Sequence, residues 1–370
     1  MRRTSSPLFV AALSLLAACG GDDAAAGGDV GPPSDAGGSA ESGGSAESGG
    51  SAESGGSAEA GGSGGAPPGG EPVPSEGDGD STISPPHEAA PETIPVEGVP
   101  VGNVVRFEMD SAESAIYPMA YGSGEVFTRS VSVYVPQQYA AGTEAPLMVV
   151  QDGVSFYEST MTPVLDNLIA AGRLPVMVVV FVEPGPDGGT PDGERSFEYD
   201  SVSDTYARFV ETELLPRVMD EARVAFSDAP DSRAAMGGSS GGAAAFTMGW
   251  FRPDRWRRIL TYSGSFCDLQ PSADHPHGAW EYHERLVAGE PARPLRVFLS
   301  ASENDLDWST AENERRHWLT ANRAMARVLA EQGYTYRYVY AEGAEHVDYG
   351  VLVRTLPETL LWLWQGHEVR

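Results

Sequence analysis

The sequence contains no lysine, so all 24 of its basic residues are arginine. That absence excludes Schiff-base catalysis, a phosphate-cradling P-loop lysine and a Ser–Lys dyad. Cysteine is scarce as well. Two cysteines in 370 residues, Cys19 and Cys267, cannot build a disulfide framework or a cysteine zinc site. Cationic charge is outweighed by 53 acidic residues, giving a formal net charge of −29 and a pI near 4.4. Nucleic acid is thereby excluded as an expected partner, because phosphate binding needs a cationic footprint.

No apolar run reaches the roughly 20 residues that span a bilayer. The run from Leu8 to Leu16 is about half that length; Arg2 and Arg3 precede it, and Leu16-Ala17-Ala18-Cys19 follows. A basic start, a short apolar core and small residues at a cut site describe a secretory signal over residues 1–18. The L-A-A-C tract resembles the lipobox of bacterial lipoproteins, which implies lipidation of Cys19 and a membrane-anchored place in the cell envelope, periplasmic or at the surface. Several acyl chains on one residue meet the requirement for stable anchoring.

Aromatic side chains are missing between Gly20 and Pro100, where Gly, Ser, Ala, Glu and Pro dominate and GGSAE(S/A) recurs at a period of six from Gly37 to Ala60. The repeat has no large apolar residue to stack inside a coil, so residues 19–100 are predicted to be a disordered, self-repelling tether.

Residues 101–370 are long enough for one large domain. Val131–Val135 alternates as a half-buried strand, while Leu147–Val150 and Val176–Val182 read as strands buried on both faces. Helical spacing appears in Thr162–Ala171, in Ser203–Met219, within Trp308–Gln332 and in Leu356–Trp364. Short strands are expected at Arg233–Met236, Ile259–Tyr262, Arg296–Ser300 and Tyr334–Tyr340. The alternation predicts a mostly parallel central sheet flanked by helices, with its chemistry at the carboxyl ends of the strands.

At one such end Arg233–Trp250 reads RAAMGGSSGGAAAFTMGW: strand, glycine–serine turn, helix. Two frames of G-x-S-x-G fit, centred on Ser239 and on Ser240, and the second glycine after the motif favours Ser239 as nucleophile. The base should follow on a strand-end loop, which selects His346 over His317 inside the long helix and His367 at the frayed terminus. Of the acids after Arg296–Ser300, Asp305 ranks first, with Asp307 and Glu303 behind it and Asp307 the better helix cap. The backbone N–H groups of Ser240 and of Gly153 (or its neighbour Val154) would form an oxyanion hole. Asp152, in the turn Gln151-Asp152-Gly153, and Arg195 and Tyr199, after a Gly/Pro-rich loop from Glu183 to Glu194, are candidate substrate contacts, with an Arg195–Glu198 ion pair as the structural alternative for Arg195. The Asp274-His275-Pro276-His277 segment lacks a further ligand at fixed spacing. It is read as an exposed loop or a cap over the pocket, leaving no metal and no organic cofactor expected. Cys267 and the tryptophans Trp308, Trp318, Trp362 and Trp364 read as core.

The segments VYVP, MVVQDG, RSFEYDSVSDTYARFV, GGSSGGAAAFTMGWFRPD, FLSASENDLDW and the His346 loop before LPETLLWLW together resemble the enterochelin-esterase-like branch of the esterase D family. The likeness runs from about Val104 to Trp364. It implies an α/β-hydrolase fold, a metal-free serine esterase and a triad of Ser239, Asp305 and His346 acting through an acyl-enzyme. Substrates implied by the family are siderophore trilactones, feruloyl esters and acetylxylan esters, either small molecules or groups linked to polysaccharide. No obligate protein partner is expected. An acyltransferase, or a non-catalytic envelope binding protein on the same fold, is the rival expectation. The segment S-E-N-D departs from the glycine-led turn common in relatives, and the acidic balance fits poorly with an anionic chelate.

Overall fold

A computed structural model of the chain describes residues 77–186, 193–307, 311 and 315–367. The signal segment, Cys19, the six-residue repeats, Trp308 and the middle of the Glu183–Glu194 loop lie outside the described residues. The strands are β1 (Gly79–Ile83), β2 (Asn103–Asp110), β3 (Thr128–Val135), β4 (Glu144–Ala145), β5 (Leu147–Gln151), β6 (Val178–Val182), β7 (Ala225–Phe226), β8 (Arg233–Gly238), β9 (Arg258–Tyr262), β10 (Arg296–Asn304) and β11 (Thr335–Glu345). Helices α1 (Gly153–Phe156), α2 (Glu158–Ala170), α3 (Glu194–Tyr199), α4 (Thr205–Phe209), α5 (Leu215–Ala222), α6 (Ser240–Phe251), α7 (Val287–Gly289), α8 (Trp318–Glu331) and α9 (Tyr349–Leu363) connect them.

Nine strands form one sheet in the order β1-β11-β10-β9-β8-β5-β6-β3-β2, in which β3 alone runs against its neighbours. The fully apolar runs fall at its centre, where both faces are covered. In β5, Leu147 and Val149 pack into one core with residues of α4–α6 and α8, whereas Met148 and Val150 pack into the other with residues of α2 and α9. This is an α/β-hydrolase architecture, with helices on both sides of a mostly parallel sheet.

The structure moves one boundary. Residues 77–100, assigned above to the tether, belong to the described fold: β1 pairs in parallel with β11 from Gly79↔Arg337 to Ile83↔Ala341. The tether is therefore drawn too long by the sequence reading. GDSTI has a single large apolar residue, and its place is fixed by main-chain pairing and by Asp78, which accepts a hydrogen bond from Trp362 Nε1 at 2.8 Å.

Three helices also differ from expectation. The segment expected to be one helix over Ser203–Met219 divides into α4, a wider π turn over Val210–Leu214 and α5. Pro216 has no N–H for Thr212, and the wider turn accommodates that loss. The final helix begins at Tyr349 rather than Leu356, capped by Asp348, with Pro357 inside it. His317 is not inside a helix. It caps α8, its Nδ1 accepting from Thr320 N–H at 3.2 Å.

Candidate active site

The site residues share one address: each is the first residue beyond its strand. Asp152 follows β5, Ser239 follows β8, Ser263 follows β9, Asp305 follows β10 and His346 follows β11. Neighbouring parallel strands thus deliver their chemistry to the same edge of the sheet. The turns there are tight. Asp152, Ser239, Ser263, Asp307 and Val347 have φ of 54°, 53°, 48°, 56° and 46°, a left-handed conformation that is costly for residues with a Cβ and most so for β-branched valine.

Ser239 sits on the bend between β8 and α6, its N–H held by Tyr262 O at 3.0 Å. The two glycines of its frame face each other: a Cβ on Gly237 would lie 2.3 Å from the Gly241 carbonyl carbon, so only glycine lets strand and helix close on the serine. Ser240 is the first residue of α6 and is buried, with its hydroxyl directed at Asp200. Burial raises the Asp200 carboxyl to about 6, partly opposed by the Ser196 hydroxyl, Arg195 and the Ser240 hydroxyl.

The candidate acid and base meet directly. His346 Nδ1 lies 2.5 Å from Asp305 Oδ1. Asp305 is fully buried and also accepts from Ser263 Oγ at 2.7 Å, Leu306 N at 2.9 Å and Ser302 N at 3.2 Å. A carboxylate only accepts, so the imidazole proton resides on Nδ1 and Nε2 is left without one, able to accept. Glu303 is engaged elsewhere, accepting from Gly343 N–H at 2.7 Å.

Ser239 and His346 are drawn together by their neighbours. A Cβ on Gly238 would stand 2.9 Å from Val347 Cγ1, which places the residue before the serine against the residue after the histidine. The Ser239 hydroxyl has Ser265 Oγ as its partner at 3.3 Å, and no hydrogen bond joins it to His346 among the described residues. Nucleophile–base bonds commonly tighten only around substrate.

Gly153 opens α1 beside β6; a Cβ there would lie 2.7 Å from Phe181 Cα. Among the described residues neither the Gly153 nor the Ser240 N–H meets an acceptor, whereas the N–H groups of Val154 and Ser155 are turned toward Glu183. Of the two donors considered beside the strand end, Gly153 is the one left open.

Two of the expected substrate contacts bind each other. Arg195 makes a two-point ion pair with Asp152, at 2.9 Å and 3.0 Å. Tyr199 is buried, and its hydroxyl takes the Asp152 N–H at 3.4 Å. A covered ring has no face to offer a ligand, so the expectation for Tyr199 is corrected to support of the β5 turn. Nor does Arg195 pair with Glu198, which binds Arg129 in a buried two-point pair at 2.8 Å. Among the described residues no group of three or more His, Cys, Asp or Glu could hold a metal ion. His275 instead lies 3.1 Å from Glu281 and His277 lies 3.1 Å from Asp268. Burial pushes the Cys267 thiol well above its usual range and leaves it a poor nucleophile.

Ser263 and Ser265 escaped the sequence reading, although YSGS at the end of β9 carried the same strand-end signal that picked out the others; Trp318, read as core, is buried.

Residues 128–363 match the family model described as "Putative esterase". The chain belongs to that family. It is 33% identical over 187 residues to the iron(III) enterobactin esterase of Dickeya dadantii (strain 3937), covering 48% of this chain and 41% of that protein. It is 32% identical over 169 residues to the iron(III) enterobactin esterase of Escherichia coli (strain K12), covering 44% and 38%. The chain thus spans about two fifths of the length of these curated relatives. Among solved structures, the ferric enterobactin esterase of Salmonella typhimurium aligns with a TM-score of 0.52 at 25% identity, covering 70% of this chain and 58% of that one. A ferulic acid esterase from Anaeromyces mucronatus aligns at 0.53 and 13% identity, covering 74% and 95%, a likeness of fold alone.

Proposed function

We propose that the chain is a serine carboxylic-ester hydrolase. The observation that carries this reading is the 2.5 Å contact between His346 and buried Asp305, beside a serine on a strained strand-to-helix bend. In the proposed reaction Ser239 Oγ attacks the ester carbonyl as His346 Nε2 takes its proton, and Asp305 stabilises the imidazolium. The Gly153 and Ser240 N–H groups receive the carbonyl oxygen as it becomes an oxyanion. His346 returns the proton to the leaving alcohol. Water, activated by the same nitrogen, then releases the acid from the acyl-enzyme.

Iron(III) enterobactin esterases among the relatives support an enterobactin-type trilactone of catecholate-bearing serine as the first substrate class to examine. The reading is tested with the full chain on p-nitrophenyl acetate and butyrate, then on enterobactin, feruloyl and acetylxylan esters, each beside Ser239→Ala, Ser240→Ala and His346→Ala. Loss of turnover in the first and third variants, with Ser240→Ala largely active, is expected. Full turnover in Ser239→Ala would overturn it. The same proposal places the enzyme on the cell envelope through lipidated Cys19. Cys19→Ser should then abolish incorporation of labelled palmitate and release the protein from membranes.

A further inference from the structure

We infer that Ser265 donates a hydrogen bond to the nucleophile and that Trp318 is the positioning residue that sets its direction; the inference rests on the reading of Ser239 as nucleophile. Ser265 is fully buried in the turn after β9, with its N–H held by Ser239 O at 3.0 Å. Its hydroxyl has two partners: Trp318 Nε1 at 3.1 Å and Ser239 Oγ at 3.3 Å. An indole N–H can only donate, so the Ser265 oxygen accepts from Trp318 and its single proton must go elsewhere. Were Ser239 the donor in the other contact, the Ser265 proton would be buried without an acceptor, which folded proteins avoid. The proton therefore points from Ser265 to Ser239.

Two consequences follow for the chemistry. The proton of Ser239 is left free for His346 instead of being held by Ser265. As that proton passes to Nε2 and the oxygen becomes more negative, the bond from Ser265 strengthens, which is the condition for lowering a barrier rather than merely binding substrate.

Trp318 is placed to hold this arrangement. As the first residue of α8 it donates its main-chain N–H to Leu306 O at 3.4 Å, one residue past Asp305. Its ring meets the His346 ring edge-on, with centroids 6.0 Å apart and planes at 84°. Buried Asn322, one turn further along α8, donates to Gly264 O at 2.9 Å and to Trp318 O at 3.0 Å, fixing the serine turn to the same helix. One residue thus touches the acid loop through its main chain, and the base and the donor to the nucleophile through its indole.

The test uses the full chain with p-nitrophenyl butyrate and the variants Ser265→Ala, Ser265→Thr and Trp318→Phe, with melting curves for each. Ser265→Ala should lower kcat by about 10–100-fold with KM little changed, the size of a lost hydrogen bond to a charged group. Ser265→Thr keeps the hydroxyl and should recover most of that loss. Trp318→Phe keeps a ring against His346 but frees Ser265 to accept from Ser239, and should lower kcat by about 10-fold. The rate at which a phosphonate labels Ser239 should fall in the same order. Wild-type kcat in Ser265→Ala, or Ser265→Thr no better than Ser265→Ala at equal melting temperature, would overturn the inference while leaving the triad standing. If Ser265→Ala does not fold, an unchanged kcat in Trp318→Phe overturns it instead. Turnover by Ser239→Ala is the separate result that removes the triad and this inference together.

Discussion

Three adjacent strands, β8, β9 and β10, begin with arginine and lead into Ser239, Ser263 and Asp305, and their two ends are built on opposite principles. At the amino ends the guanidinium groups lie over indole rings: Arg233 with Trp256, Arg258 with Trp364 and Arg296 with Trp362. Arg258 and Arg296 stand side by side in register, and Arg258 is held by main-chain carbonyls of Asp231, Leu363 and Gln365. Burial, and then the neighbouring Arg296, lower the Arg258 pKa to about 10. At the carboxyl ends the residues are small or acidic, and three of the strand ends leave a left-handed residue behind them, at Ser239, Ser263 and Asp307. One end fastens the strands with cations and flat rings. The other holds two serine hydroxyls on strained backbone beside a buried carboxylate, where stability is given up for geometry.

The contrast predicts that changes at the two ends separate activity from stability. The largest expected effect is at Asp305. Asp305→Asn keeps the side chain's shape but presents a donor to His346, and kcat should fall by about 10⁴ with little change in KM; steady-state kinetics on p-nitrophenyl butyrate read it. Next is Gly153→Ala. The added methyl meets Phe181 at main-chain distance, displaces the N–H, and should cost about 10²–10³ in kcat. A variant with unchanged kcat would remove Gly153 from the oxyanion site.

At the other end, Arg258→Met should leave kcat within about twofold but lower stability by about 1–3 kcal/mol, because three main-chain carbonyls, that of Leu363 in a buried bond, lose their donor. Urea melts beside the same kinetic assay measure both. A large loss of turnover there would break the contrast between the two ends.

The smallest effect is a pH dependence beside α3. Burial raises the Glu194 carboxyl to about 7 from its ordinary 4.5, with the charge of Glu198 adding to it, and one of its oxygens is buried without a partner. A folded-state pKa above the unfolded one means that the folded chain binds the extra proton. Glu194 therefore adds stability below about pH 4.5 and loses that contribution as the pH rises to about 7. Glu194→Gln should melt a few degrees higher than wild type at pH 8 and flatten the stability curve between those two values. An unchanged slope would contradict this.

What the sequence made legible follows from how much each element depends on its own residues. The central strands LMVVQ and VVVFV declare themselves because burial on both faces demands continuous apolar side chains. The elbow is legible because close approach of strand and helix demands glycine on both sides of Ser239. Strand β1 is not legible, since GDSTI is placed by pairing with a partner more than 250 residues away along the chain. The partners of Arg195 and Glu198 are not legible for a similar reason: the local alternative pairs residues three apart on a helix, but each side chain finds its partner on a distant strand or its end. The role of Trp318 was hidden because a tryptophan at helical spacing looks like core, and only the atom facing Ser265 distinguishes it.

The most direct measurement is reaction of the full chain with a p-nitrophenyl phosphonate, followed by peptide mapping by mass spectrometry in wild type and in His346→Ala. A single adduct on Ser239, formed at least about 10³-fold more slowly without His346, is the predicted result. An adduct on Ser240, or labelling of Ser239 at an undiminished rate in His346→Ala, would contradict the assignment of nucleophile and base.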